Sequence, residues 1–212
     1  MTLKTFLTPA LIALLAITHS ASAADIQPLQ INWAAIQYQM PEEKREDALK
    51  ALAENAEQLA NENQNCAPCW IWAGIIRSSY AGAKGGLGAL GEVKAARKHL
   101  ERAIDIDPGA LDGSAYASLG TLYYKVPGWP LGFGDDDKAE LMLTKALQYN
   151  PNGIDPNYFW GDYLIEQKRY PEALEALKKA SNAPGRPDRP AADAGRRKEV
   201  QAAILRAENA LK

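Results

Sequence analysis

The chain has 212 residues, 47% of them hydrophobic and 24% charged, with a formal net charge of -2 at pH 7. That length supports a sizeable apolar core, and the slight acidity argues against nucleic acid or an anionic membrane surface as a partner. Only one of the two histidines, His99, lies beyond residue 23, which weighs against a multi-histidine metal site or a histidine base with partners.

Residues 1–23 read as a cleaved signal peptide. Lys4 is followed by an apolar run from Phe6 to Ile17 and by Ala21-Ser22-Ala23, a small-residue cleavage pattern. The run is too short to span a bilayer, and no later stretch approaches its length. The first cysteine is Cys66, so lipidation at the cleavage point is not expected. The expected location is periplasmic or secreted. Residues 24–40 come next. Ile31, Trp33, Ile36 and Tyr38 suit docking on the first helix pair, but their pattern does not fix a conformation. From Pro41, the stripe Ala48, Leu52, Ala56 and Leu59 predicts a helix, half of a first unit.

Cys66-Ala67-Pro68-Cys69 opens the next predicted helix. Two cysteines three apart in an exported chain predict an intrachain disulfide. By residue type the motif looks like that of thioredoxin-like proteins. Those carry it after a strand, and this chain lacks alternating strands. A helix N-terminus also lowers a thiol pKa, so a thiol–disulfide redox role stays open. A metal would need two further ligands, and no metal site is expected.

A repeated pattern follows from residue 66 to residue 184. One helix of each unit carries an aromatic and a glycine: Trp70 and Gly74, Tyr116 and Gly120, then Trp160 beside Gly161. The other carries alanine, leucine and alanine at spacings of four and three: Ala96/Leu100/Ala103, Ala139/Leu143/Ala146 and Ala173/Leu177/Ala180. These spacings place the side chains on one helix stripe, and Pro108, Pro151 and Pro184 end the stripes. Such a pair cannot bury its apolar face alone, whereas stacked pairs can. The pattern resembles the tetratricopeptide repeat, a helix-turn-helix of about 34 residues. The last unit matches its spacing, with Gly161 and Ala173 12 apart, and the two earlier units contain insertions. The resemblance implies an all-α, right-handed superhelical solenoid of antiparallel helix pairs. It would occupy residues 41–190, with a capping helix at 191–212. In that helix Val200, Ile204, Ala207 and Leu211 form the apolar face. Arg196, Lys198, Glu199, Arg206 and Glu208 form the polar one.

The insertions are AKGGLGALGE (83–92) and KVPGWPLGFGDD (125–136). Insertions at equivalent points of a stack project from one edge. Pro127 and Pro130 stiffen the second loop. Trp129, Leu131 and Phe133, with Leu87 of the first loop, are therefore the candidate partner contacts; the competing reading folds these rings over the protein's own core. Gly86 to Gly91 spell a dinucleotide fingerprint, but without the preceding strand. Asp135 to Asp137 suit a helix N-terminus, and Asp155-Pro156-Asn157 suits a turn and cap. Arg186, Arg189, Arg196 and Arg197 could clamp an anion; pairing with surface acids such as Asp188 and Asp193 is the favoured expectation.

Proteins with this repeat generally present concave surfaces to peptides or protein partners. The resemblance thus implies a non-catalytic interaction module with no catalytic residues and no cofactor. A ligand-binding accessory subunit of a periplasmic transport system is the alternative. The redox protein through Cys66 and Cys69 is a third reading, and self-association is open.

Overall fold

Residues 24–212 are described by a computed structural model; the expected signal peptide at 1–23 lies outside the described residues. The elements are α1 (Gln27–Gln39), α2 (Arg45–Glu62), α3 (Ala67–Lys84), α4 (Ala89–Ile106), α5 (Ala110–Lys125), α6 (Asp136–Tyr149), α7 (Ile154–Glu166), α8 (Tyr170–Asn182) and α9 (Pro190–Ala210). A 3-10 turn at Glu42–Lys44 precedes α2. The described chain is all-helical, and none of these helices is long and apolar enough to cross a membrane.

Local chemistry sets most boundaries. Pro28, Pro68, Pro171 and Pro190 lie in the first turns of α1, α3, α8 and α9, where a missing N–H costs nothing. Pro108, Pro151 and Pro184 each stand two residues beyond a helix end. Asp135 caps α6 by accepting from the Lys138 N–H at 3.1 Å.

The helices pack in chain order, α3 with α4, α5 with α6, and α7 with α8. Each hairpin closes on the same contact. A Cβ at Gly74 would lie 2.6 Å from Leu100 Cγ, one at Gly120 2.7 Å from Leu143 Cγ, and one at Gly161 2.6 Å from Leu177 Cγ. The three leucines are fully buried, as are Ala96, Ala103, Ala139, Ala146, Ala173 and Ala180. Glycine leaves no atoms between the helices, and the leucine fills the groove it opens.

Both ends of the chain depart from a simple open stack. Within residues 24–40, which the sequence left without a conformation, Gln27–Gln39 form α1. Its Trp33 ring stands edge-on to Trp72 of α3 at 5.8 Å and donates Nε1–H to Ser79 Oγ at 2.8 Å. The same helix reaches α9, where the Tyr38 ring covers Gly195 so closely that no side chain fits at 195. The Tyr38 hydroxyl also donates to Glu199 at 3.3 Å. The first and last of the described helices therefore meet. This corrects the expectation for the C-terminal helix: Arg196 is not on an outer polar face but buried, because α1 covers that side. Asp162 ties α7 into the same closure. It accepts from Tyr124 at 2.9 Å and pairs with Lys125 of α5 and Arg206 of α9.

The first insertion is also corrected. Most of 83–92 is helix, so α3 and α4 are each 18 residues long. Lys84 and Glu92 join them at 3.0 Å. Only Gly85 to Gly88 turn the chain, with Gly85 and Gly86 at φ 62° and 58°.

Gly161→Ala and Gly82→Ala are therefore expected to shift stability in opposite directions. The first drives a methyl into Leu177 and costs about 2 kcal/mol. The second meets nothing within 4 Å and gains about 0.5 kcal/mol of helix propensity. Urea unfolding of the two variants beside the wild type checks the pair.

Candidate functional site

The inner surface of the stack is lined by α3, α5 and α7, and many of the inward residues of α3 and α5 are small. Ser78, Ser79, Ser114, Ala117, Ser118 and Thr121 leave space where larger side chains would meet. α1 and α9 close over this surface, with the segment 184–189 at its edge. The result is a part-closed cavity of about 630 Å³.

Its walls differ in chemistry. Trp33, Tyr38 and Trp72 make an aromatic corner, with Trp33 and Tyr38 edge-to-face at 5.6 Å. Phe159, Ile75 and Leu122 extend the apolar lining. Along α3 and α5 the hydroxyls of Ser78, Ser79, Ser114 and Thr121 donate to backbone carbonyls of Gly74, Ile75, Leu111 and Ala117. Their protons are committed, so toward the cavity they offer lone pairs. Leu111 and Asp112, at φ 48° and 54°, make a left-handed turn into α5 and also line the space.

An ionic belt crosses the α7–α9 side. Arg196 Nε donates to Asp155 at 2.8 Å, and Arg186 pairs with both Asp155 and Asp193. Arg196 also pairs with Glu199. Burial pushes the Asp155 carboxyl up, but Arg196 and Arg186 outweigh it and hold its pKa at about 2. Arg189 stands apart. Its guanidinium lies 5.1 Å from the Trp72 ring centre, and no carboxylate among the described residues pairs with it.

The residues singled out from sequence fall into separate places. Trp129, Leu131 and Leu87 are exposed, at 90%, 59% and 77%. Phe133 is half-buried on the protein's own surface. It packs edge-on to Tyr123 at 5.8 Å beneath the Arg97 guanidinium at 4.5 Å, because its ring finds apolar cover on α4 and α5. Cys66 and Cys69 form a disulfide, and Cys66 caps α3, its Sγ accepting from the Cys69 N–H at 3.1 Å. Trp70 packs against His99, and Tyr116 stacks on Tyr149. Asp155 does not cap α7; it points into the arginine belt, and Asn157 holds the turn by donating to Pro151 and Gly153 carbonyls. The expected pairing with acids is found for Arg186 and Asp193, but Asp193 is buried rather than on the surface. Arg186 and Arg196 are withdrawn into the belt, and Arg197 closes the end of α8 by donating to the carbonyls of Ser181 and Ala183. Neither the aromatic corner nor the hydroxyl wall was among the sequence candidates. Their one signal was the run of small residues on the inner faces of α3 and α5.

No protein-family model matches the chain, and no curated protein matches it.

Asp155 sets an acid limit. Its folded pKa lies below that of a free aspartate, so the stability it contributes is complete above about pH 4 and disappears as pH falls toward about 2, on the order of 2 kcal/mol. Asp155→Asn should cost about 3 kcal/mol at pH 7 by leaving two arginines short of a partner. It should also flatten the stability profile between pH 4 and 2. Chemical denaturation across that range reads both.

Proposed function

We propose that this chain is a non-catalytic binding protein of the tetratricopeptide-repeat type, exported by its N-terminal signal, that takes its ligand into the central cavity. The repeated glycine–leucine hairpins support the repeat assignment and, with it, a right-handed superhelix. The observation that carries the binding role is the cavity of about 630 Å³. That volume suits a small organic molecule or the end of a peptide. Aromatic and aliphatic walls with a few directed polar groups are the usual composition of such sites. His99 is the one histidine among the described residues, and it packs between helices outside the cavity lining. Filling the space tests the reading. Native mass spectrometry of the protein purified without denaturation is expected to show a bound small molecule, and Ser118→Phe is expected to lose it while melting at the wild-type temperature. A wild-type protein that carries nothing and binds nothing from a metabolite extract would remove the cavity as the site.

Trp129 favours a second, compatible role. An indole left 90% exposed on a proline-stiffened loop is a low-entropy anchor for a protein partner. A chain with both features would serve as the ligand-binding accessory subunit of a transport system. A photo-crosslinking residue at position 129 is expected to give a discrete protein adduct, and one at the exposed Lys178 is not. Equal labelling from both positions would count against the loop.

A further inference from the structure

Three arginines line the cavity, and two of them are already occupied. Arg186 is held by Asp155 and Asp193, and Arg196 by Asp155 and Glu199. Arg189 makes no side-chain hydrogen bond or ion pair among the described residues, although its Nε is buried. A guanidinium carries five donors and stays charged, so withdrawing one from water without an acceptor is unfavourable. Trp72 holds the group in place from one side by a cation–π contact. Arg189 is among the residues that line the cavity.

The other walls decide what could meet it. The committed hydroxyls of Ser78, Ser79, Ser114 and Thr121 present lone pairs, which an anion would avoid; the Ser118 hydroxyl and the Gln30, Gln37 and Asn152 amides also line the space but carry no charge. The belt is close to electrical balance once Arg189 is included, since Arg186 and Arg196 face Asp155, Asp193 and Glu199. Asp112 and Asp188 are exposed at the rim, where water and salt screen them. Arg189 is therefore the lining cation without a carboxylate partner among the described residues and the favoured place for an anion, and an apolar body attached to it would lie against Trp33, Trp72 and Phe159.

Building on the proposal that the cavity is the ligand site, we infer that it selects a small organic carboxylate with an apolar or aromatic body, its carboxylate on Arg189. Burial, and then the neighbouring Arg186, push the Arg189 guanidinium below its ordinary pKa despite the nearby aspartates. The charge of a bound carboxylate would offset both effects, and a planar guanidinium suits its two oxygens.

The test uses three probes of one shape: 2-naphthoate, 2-naphthylmethanol and 2-naphthylmethylamine, titrated calorimetrically into the full mature protein. The acid is expected to bind about tenfold or more tightly than the alcohol, and the amine most weakly. Arg189→Gln should abolish the preference for the acid while leaving the alcohol unchanged. Arg189→Lys should keep part of it, since the charge stays and the fork is lost. In wild type, added potassium chloride should weaken the acid but not the alcohol, a readout that needs no variant. Equal affinity for acid and alcohol overturns the anion assignment and leaves the cavity site standing. Arg189→Gln weakening all three probes alike overturns it too, because the residue would then be shaping the cavity only. Failure of all three to bind removes the cavity reading and this inference together.

Discussion

The separation between helices in this protein depends on a glycine pressed against a leucine. Gly74 on Leu100, Gly120 on Leu143 and Gly161 on Leu177 repeat one contact in three hairpins. With no Cβ in the way, the backbones approach until leucine fills the groove, and the alanines on either side keep that distance along the helix. Small residues at the hairpin seam would alone make a thin core. The aromatics compensate by filling the wedge between successive hairpins, as Tyr124 does against Tyr163 at 5.6 Å.

The close seam also shapes the inner surface. Because the apolar mass lies between the helices of each hairpin, the faces of α3, α5 and α7 that look inward need not supply a core. Those of α3 and α5 carry serine, threonine and alanine, and a space is left against Phe159 and Asp155 of α7. α1 and α9 then turn an open concavity into a part-closed one. Tyr38 is central to that step, lying flat on Gly195 with its hydroxyl on Glu199. The belt from Asp155 to Arg196 runs directly beneath, so the closure and the charged wall of the cavity are one structure.

What was legible in the sequence was what is local or periodic. The glycine and alanine stripes, the prolines after the helices, the Asp135 cap and the cysteine pair each speak through neighbours within a turn or two. The cavity was not legible, because its parts are far apart in the chain. Arg196 and Asp155 are 41 residues apart, and Tyr38 and Glu199 are 161 apart. No periodicity links them, so Asp155 looked like a helix cap and Arg196 like a solvated surface charge. The first insertion misled for a different reason. Spacing alone shows that residues were added but not where they go. In α3 and α4 they became extra helix, whereas residues 126–135 remained a loop with Phe133 tucked under Arg97 and Trp129 outside.

The meeting of α1 and α9 also limits how such a chain could change in length over evolution. An open stack gains or loses a hairpin at little cost, because each hairpin touches only its neighbours. Here one more hairpin would carry Gly195 away from Tyr38, and one fewer would bring α1 and α9 into collision. The number of units is thereby counted by the closure. Growth is admitted only within a hairpin, where it leaves the two ends in register, and that is where the longer helices and the projecting loop are found.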